Sequence, residues 1–215
     1  MIQNVLFDLD GTLVDSKAGI FSSIAYALDK MGRPMPEEKV LMSFLGPPLV
    51  HSFQAYIGMS EEEAIRATAL YREHYKPNGM FEFTLYPGVE TMLKKLTQSG
   101  RRCFLATSKP EVYAKEILKK AGIDSYFTAV CGALLPSGRD EKVEVIGHLI
   151  ETEGLSIEDS VMVGDRFYDI EGAHKLGMAA IGVTYGFGSE KELNRAQADA
   201  VVHGCKELTS VIMKV

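Results

Sequence analysis

From Tyr86 onward the chain alternates short apolar strands with amphipathic helices, and this alternation limits the fold more than any other feature. The order is helix PGVETMLKKLTQSG, strand RCFLAT, helix PEVYAKEILKKAG, strand FTAVCG, helix KVEVIGHLIETEG, strand SVMVG, helix FYDIEGAHKLG and strand AAIGV. Strand, helix and strand joined by right-handed crossovers build a parallel sheet covered by helices on both faces. Val5, Leu6, Phe7 and Leu9 predict one more buried strand of that sheet, over residues 3 to 8. Between this strand and Tyr86 the pattern is helical. Ile20, Phe21, Ile24, Ala25 and Leu28 recur at helical spacing until Gly32 and Pro34 stop them. Val40 to Leu45 and Leu49 to Ile57 predict shorter helices separated by Gly46-Pro47-Pro48, and SEEEAIRATALYREHY opens on a capping box from Ser60 to Glu63. The expected architecture is α/β: a doubly wound parallel-sheet core of residues 1–16 and 80–215, with an all-helical insertion over 17–79.

At 215 residues the chain can bury a sizeable core without staples, and its three cysteines sit singly in apolar runs, as small core residues of a reducing compartment do. Twenty-three Lys and Arg against 29 Asp and Glu give a net charge of −6, which excludes a basic surface for a nucleic-acid polymer but allows a single nucleotide as ligand. No stretch approaches the ~20 apolar residues of a membrane span. With a strand at the very start in place of an export segment, the expectation is a cytoplasmic protein.

In open parallel sheets the ligand lies beyond the carboxyl ends of the strands. Here those ends are polar: Asp8 and Asp10 after the first strand, Thr107-Ser108-Lys109 after RCFLAT, and Gly164-Asp165-Arg166 after SVMVG, with Asp169 four residues beyond Asp165. Carboxylates gathered at one buried edge need a cation, and oxygen-only ligands select Mg2+ over zinc or copper. In such a place one carboxylate can attack phosphorus while a second, two residues on, moves a proton to the leaving group. Gly11 is expected to leave its amide open to an oxyanion, Thr107 to offer a hydroxyl to a phosphate oxygen, and Lys142, at a helix start, to supply positive charge. Asp169 has a plainer alternative, to cap the first turn of its helix.

These residues resemble the motifs of the haloacid dehalogenase superfamily: FDLDGTLVDS, Thr107 of FLATSK, Lys142, and VGDRFYDIEGA, a series covering nearly the whole chain. The resemblance implies a Rossmann-like core and a phosphatase in which Asp8 is the nucleophile and Asp10 the general acid and base. It implies Mg2+ held by the Asp8 carboxylate, the Asp10 backbone carbonyl and Asp165, and phosphate bound by Gly11, Thr107, Ser108 and Lys142. Asp169 would orient Lys142 or a metal-bound water. The helical insertion is similar to the family's small cap, in which Gly46, Tyr71 and Arg72 are expected to select substrate. The expected partner is a small phosphorylated metabolite of the phosphoglycolate or nucleoside 5′-monophosphate kind, the expected assembly a monomer or homodimer. A phosphomutase of the β-phosphoglucomutase type shares both aspartates; a phospho-accepting signalling module would have no use for the insertion. The glycine-rich GVTYGFGS lacks a Walker lysine and is expected to form a loop beside the site.

Overall fold

A computed structural model describes residues 1–135 and 138–214. The chain divides into two compact units, one made of Met1–Asp15 with Leu85–Val215 and the other of Ser16–Thr84.

The first unit is built on a six-stranded sheet. Its strands are β1 (Asn4–Phe7), β4 (Arg102–Pro110), β5 (Phe127–Ala133), β6 (Ser160–Gly164), β7 (Ala179–Val183) and β8 (Ala200–Val202). Two short strands, β2 (Val14–Asp15) and β3 (Thr84–Leu85), pair apart from it. The sheet order is β5-β4-β1-β6-β7-β8, and every neighbouring pair runs parallel. All four residues of β1 are buried, because a central strand covered on both faces has no polar side to alternate with. Beneath the helices Lys142–Glu153 and Phe167–His174, Leu6, Phe104 and Met162 of three adjacent strands pack with Ile146, Leu149 and Ile170. Each fully buried side chain of this size contributes roughly 1.5–3 kcal/mol of transfer free energy.

The second unit contains α1 (Lys17–Lys30), α2 (Glu38–Met42), α3 (Leu49–Ile57) and α4 (Glu61–Tyr75). The capping box at the head of α4 has both of its bonds: Glu63 N–H donates to Ser60 Oγ at 3.2 Å, and Ser60 N–H donates to Glu63 Oε2 at 2.9 Å. α2 begins and ends earlier than Val40 to Leu45. Approaching Gly46-Pro47-Pro48, its last turn tightens into bonds from Phe44 N–H to Leu41 and from Leu45 N–H to Met42, leaving the regular helix. α1 and α3 both pack on α4, and Ser23 Oγ of α1 donates to the Gly19 carbonyl at 2.7 Å while lying 3.1 Å from His74 Nδ1.

Helices α5 (Val89–Gln98), α6 (Glu111–Ala121), α7 (Lys142–Glu153), α8 (Phe167–His174), α9 (Glu190–Arg195) and α10 (Cys205–Lys214) flank the sheet. No helix among the described residues is long and apolar enough to cross a membrane. All three cysteines are buried and unpaired.

Candidate active site

The polar ends of β1, β4 and β6 meet at one edge because these three strands are neighbours, with β1 in the middle. Asp8 follows β1 directly, and its amide still donates to the Val163 carbonyl at 2.9 Å, so its side chain leaves the sheet where hydrogen bonding stops. Asp165 follows β6, and Asp169 stands in the first turn of α8. Carboxylate oxygens of Asp8, Asp165 and Asp169 lie within 4.8 Å of one another, with Asp165 and Asp169 fully buried.

Two glycines make this crowding possible. A Cβ on Gly11, whose φ is +81°, would fall 2.2 Å from Asp165 Oδ2, and one on Gly164 would fall 2.1 Å from Asp169 Cγ. The motif glycines therefore give up their side-chain volume to the carboxylates beside them.

Lys142, the first residue of α7, is the ammonium within this cluster. Its Nζ is 2.9 Å from Asp8 Oδ1 and 2.8 Å from Asp169 Oδ1, while its directed hydrogen bond goes to the Ala106 carbonyl at 2.9 Å. Burial alone would favour the neutral amine, but Asp169 and Asp8 outweigh it and hold the lysine charged, above its ordinary range. Asp169 also accepts from the Arg166 amide at 3.1 Å. One side chain thus caps the first turn of α8 and contacts Lys142.

Asp165 is held on both oxygens. Phe187 and Gly188 amides donate to Oδ2 at 2.7 and 3.3 Å, and Thr12 Oγ1 donates to Oδ1 at 3.3 Å. Burial, with Asp169 and Asp8 close by, nevertheless pushes its carboxyl up to about 8. Three carboxylates against one ammonium leave an excess of negative charge, and neither Asp8 Oδ1 nor Asp169 Oδ1 has a well-directed hydrogen bond. An all-oxygen, electron-rich set of this kind fits a hard divalent cation and could hold one.

Asp10 stands apart from this trio. Its Oδ2 receives Lys109 Nζ at 2.6 Å, and its Oδ1 has no hydrogen-bond partner among the described residues. Thr107 is buried at the end of β4, and its hydroxyl oxygen accepts the Lys109 amide at 3.3 Å; Ser108 is half-buried next to it. One expectation fails here. The Gly11 amide is not open to an oxyanion, because it donates to the Val14 carbonyl at 2.9 Å in a tight turn whose other amides converge on Leu9. Gly46, Tyr71 and Arg72 belong to the helical unit. Gly46 lies in the turn between α2 and α3 with φ +113°, Tyr71 is buried and stacks on Tyr75 at 5.2 Å, and Arg72 is exposed.

The model of the haloacid dehalogenase-like hydrolases matches residues 5–183. The chain belongs to that family. Among its relatives, a 5′-nucleotidase of Pseudomonas aeruginosa is 41% identical over 97% of this chain and 93% of its own length. The tyrosine-protein kinase PtkA of Mycobacterium tuberculosis is 38% identical over 94% of this chain and 68% of its own. A phosphoglycolate phosphatase of Vibrio parahaemolyticus is 30% identical over 98% and 96%. The crystal structure of a predicted phosphatase from Clostridium acetobutylicum superposes with a TM-score of 0.95, at 41% identity and complete coverage of both chains. By class this member of the family is a haloacid dehalogenase-like phosphatase.

Reading the hydrolase's sequence alone overlooks the contacts of four participants. Lys109 has a signal, a lysine two residues after Thr107 on a polar strand end. Thr12 has a weaker one, inside the DGT motif. The Phe187 and Gly188 amides lie in GVTYGFGS, expected as a loop beside the site, but their bonds to Asp165 have no signal, since a backbone donor is independent of residue type.

Proposed function

We propose that the protein hydrolyses a small phosphomonoester in a Mg2+-dependent reaction through an aspartyl-phosphate on Asp8. The observation that carries this reading is the placement of Asp8: a carboxylate at the end of the central strand, against the buried Lys142 ammonium and within the cluster of Asp165 and Asp169.

The Asp8 carboxylate attacks phosphorus, and the bond to the substrate's ester oxygen breaks. Asp10 donates a proton to that oxygen, so the alcohol leaves neutral. Asp10, now a carboxylate, takes a proton from the water that attacks phospho-Asp8, which releases phosphate and restores both aspartates. Lys142 opposes the negative charge on the phosphoryl oxygens, and the Thr107 hydroxyl, whose oxygen already accepts an amide, has its proton to donate to one of them. Asp8 and Asp165, with the Asp10 backbone carbonyl, would hold Mg2+, which when bound neutralises phosphoryl oxygens. Asp169 keeps Lys142 in place.

The substrate class is a nucleoside 5′-monophosphate first and 2-phosphoglycolate second, in the order of identity to the relatives so named. The helical unit acts as the cap, with the Gly46 turn and the exposed Arg72 as selecting elements backed by Tyr71.

The test is phosphate release from nucleoside 5′-monophosphates, 2-phosphoglycolate, sugar phosphates and pyrophosphate, with Mg2+ and with chelator. Mg2+-dependent release with one preferred monophosphate is expected. Bisphosphate-dependent isomerisation without phosphate release would replace the reading by a mutase. Transfer from ATP to a tyrosine peptide without monoester hydrolysis would replace it by a kinase.

A further inference from the structure

The carboxyl end of β4 departs from regular sheet geometry. Its pairing with β5 shifts register between Ala106 and Pro110, so Thr107, Ser108 and Lys109 lie in an irregular stretch at the strand end. Bulges of this kind re-aim side chains, and they gather beside active sites. Lys109 makes one contact within this stretch and another that leaves it. The Lys109 amide donates to Thr107 Oγ1 at 3.3 Å, and the Lys109 ammonium, with its side chain 8% exposed, reaches Asp10 Oδ2 at 2.6 Å across 99 residues of sequence.

We propose that Lys109 is a positioning residue for Asp10: by holding Oδ2 it fixes the carboxylate so that Oδ1 is the oxygen that gives and takes the proton. This rests on the phosphatase reading above. The geometry distinguishes the two oxygens, for Oδ2 has an ionic partner and Oδ1 has no hydrogen-bond partner among the described residues. A carboxylate engaged on both oxygens could not exchange a proton without first breaking a bond; one engaged on neither would spread over several rotamers. Lys142 cannot take this role, because its ammonium is committed to Asp8, Asp169 and the Ala106 carbonyl. The same bulge orients Thr107 through the Lys109 backbone, so one local irregularity sets both a phosphate donor and the proton-transfer group.

A residue that positions a general acid matters most when the leaving group is poor. The experiment compares wild type and Lys109→Met on adenosine 5′-monophosphate or 2-phosphoglycolate, whose alkoxides need a proton, and on 4-nitrophenyl phosphate, whose phenolate departs without one. Lys109→Met is expected to lower kcat about tenfold or more on the alkyl ester and less than about threefold on the aryl ester, with KM within about twofold. In an Asp10→Asn background it should cost nothing further.

Equal losses on both esters, a raised KM with unchanged kcat, or full additivity with Asp10→Asn would each overturn the proposal. A crystal structure of Lys109→Met tests the same contact without turnover: Asp10 is expected to leave its rotamer, and an unmoved carboxylate would count against positioning. Failure of the phosphatase reading shows up separately, as wild-type hydrolysis that Asp8→Asn does not reduce.

Discussion

β1, β4 and β6 carry polar residues at both ends, and the two ends follow different rules. At the amino-terminal end Asn4, Arg102 and Ser160 form a closed network. Asn4 Nδ2 donates to Ser160 Oγ at 3.1 Å, Ser160 Oγ donates to the Ser156 carbonyl at 2.5 Å, and Arg102 Nε donates to Asn4 Oδ1 at 3.0 Å. At the carboxyl end three carboxylates face one ammonium: Asp8 Oδ1 and Asp169 Oδ1 share the Lys142 ammonium without a well-directed hydrogen bond, and Asp10 Oδ1 has no hydrogen-bond partner among the described residues. Buried polar groups left unsatisfied cost stability, so a fold alone favours the first arrangement. The second persists where unmet bonding capacity serves a ligand. One end of the sheet is finished by the protein itself; the other gathers carboxylates that could hold a metal ion.

The largest expected effect tests the open end. Asp8→Asn keeps the shape of the side chain while removing its charge. Phosphate release should fall by about 10³-fold or more, as it does when an enzyme loses its nucleophile. The thermal midpoint should stay within about 4 °C of wild type, because one lost ion pair to Lys142 is offset by one carboxylate fewer in the cluster. Substantial residual hydrolysis would remove Asp8 from its role.

Next comes the ammonium that keeps the cluster together. Lys142→Met leaves Asp8 and Asp169 facing each other with no cation between them, and breaking a buried pair on one side typically costs about 3–5 kcal/mol. Urea unfolding of the chelated protein reads this loss, and adding Asp169→Asn should recover part of it. A variant as stable as wild type would mean that the two ends of the strands do not differ in kind.

How far this contrast could be read in the sequence depends on the range of each interaction. The strands RCFLAT and SVMVG are legible because parallel-sheet burial demands continuous apolar runs, and the Ser60 capping box is legible because both of its bonds span three residues. β8, only three residues long, carries too little pattern to register beyond AAIGV. Asp8 and Asp165 stand out as charges at the ends of apolar strands, Asp169 and Lys142 through their place in the motif series, and the structure brings all four together. Gly11 misled: its presence signals room for Asp165, while its amide is taken up by a turn that no side-chain pattern reveals. The Lys109 contact with Asp10 needs a strand bulge, and the Asp165 clamp needs two amides from a distant loop; neither leaves a periodic trace.

A third prediction uses pH to separate the ends. Asp165 is pushed up to about 8 in the folded chain, by burial first and then by Asp169 and Asp8. A carboxyl held above its unfolded value favours the folded state while protonated, so its contribution is whole below about pH 4 and is lost as pH rises toward that folded value. In chelator, wild type should therefore lose on the order of 3–4 kcal/mol relative to Asp165→Asn between about pH 5 and 8. Mg2+ added at the upper pH should restore wild type and leave Asp165→Asn far less affected. Parallel pH curves for the two proteins, with and without the cation, would contradict the excess charge assigned to this edge.

The smallest effect belongs to the closed end, and it makes the contrast two-sided. Asn4 is 2% exposed and bonds Ser160 and Arg102 at once, so Asn4→Ala removes two hydrogen bonds and leaves the Ser160 and Arg102 groups to find other partners. About 1–2 kcal/mol of stability should go, since Arg102 is exposed and can turn to water while the Ser160 hydroxyl keeps its bond to Ser156. kcat and KM should be unchanged, and the loss should be the same in chelator and in Mg2+, because nothing in this network awaits a ligand. A stability loss that Mg2+ erased, or a drop in kcat, would mean that β1 transmits disturbance from Asn4 to Asp8. The strand would then couple the two ends, and the closed network would be part of the catalytic apparatus.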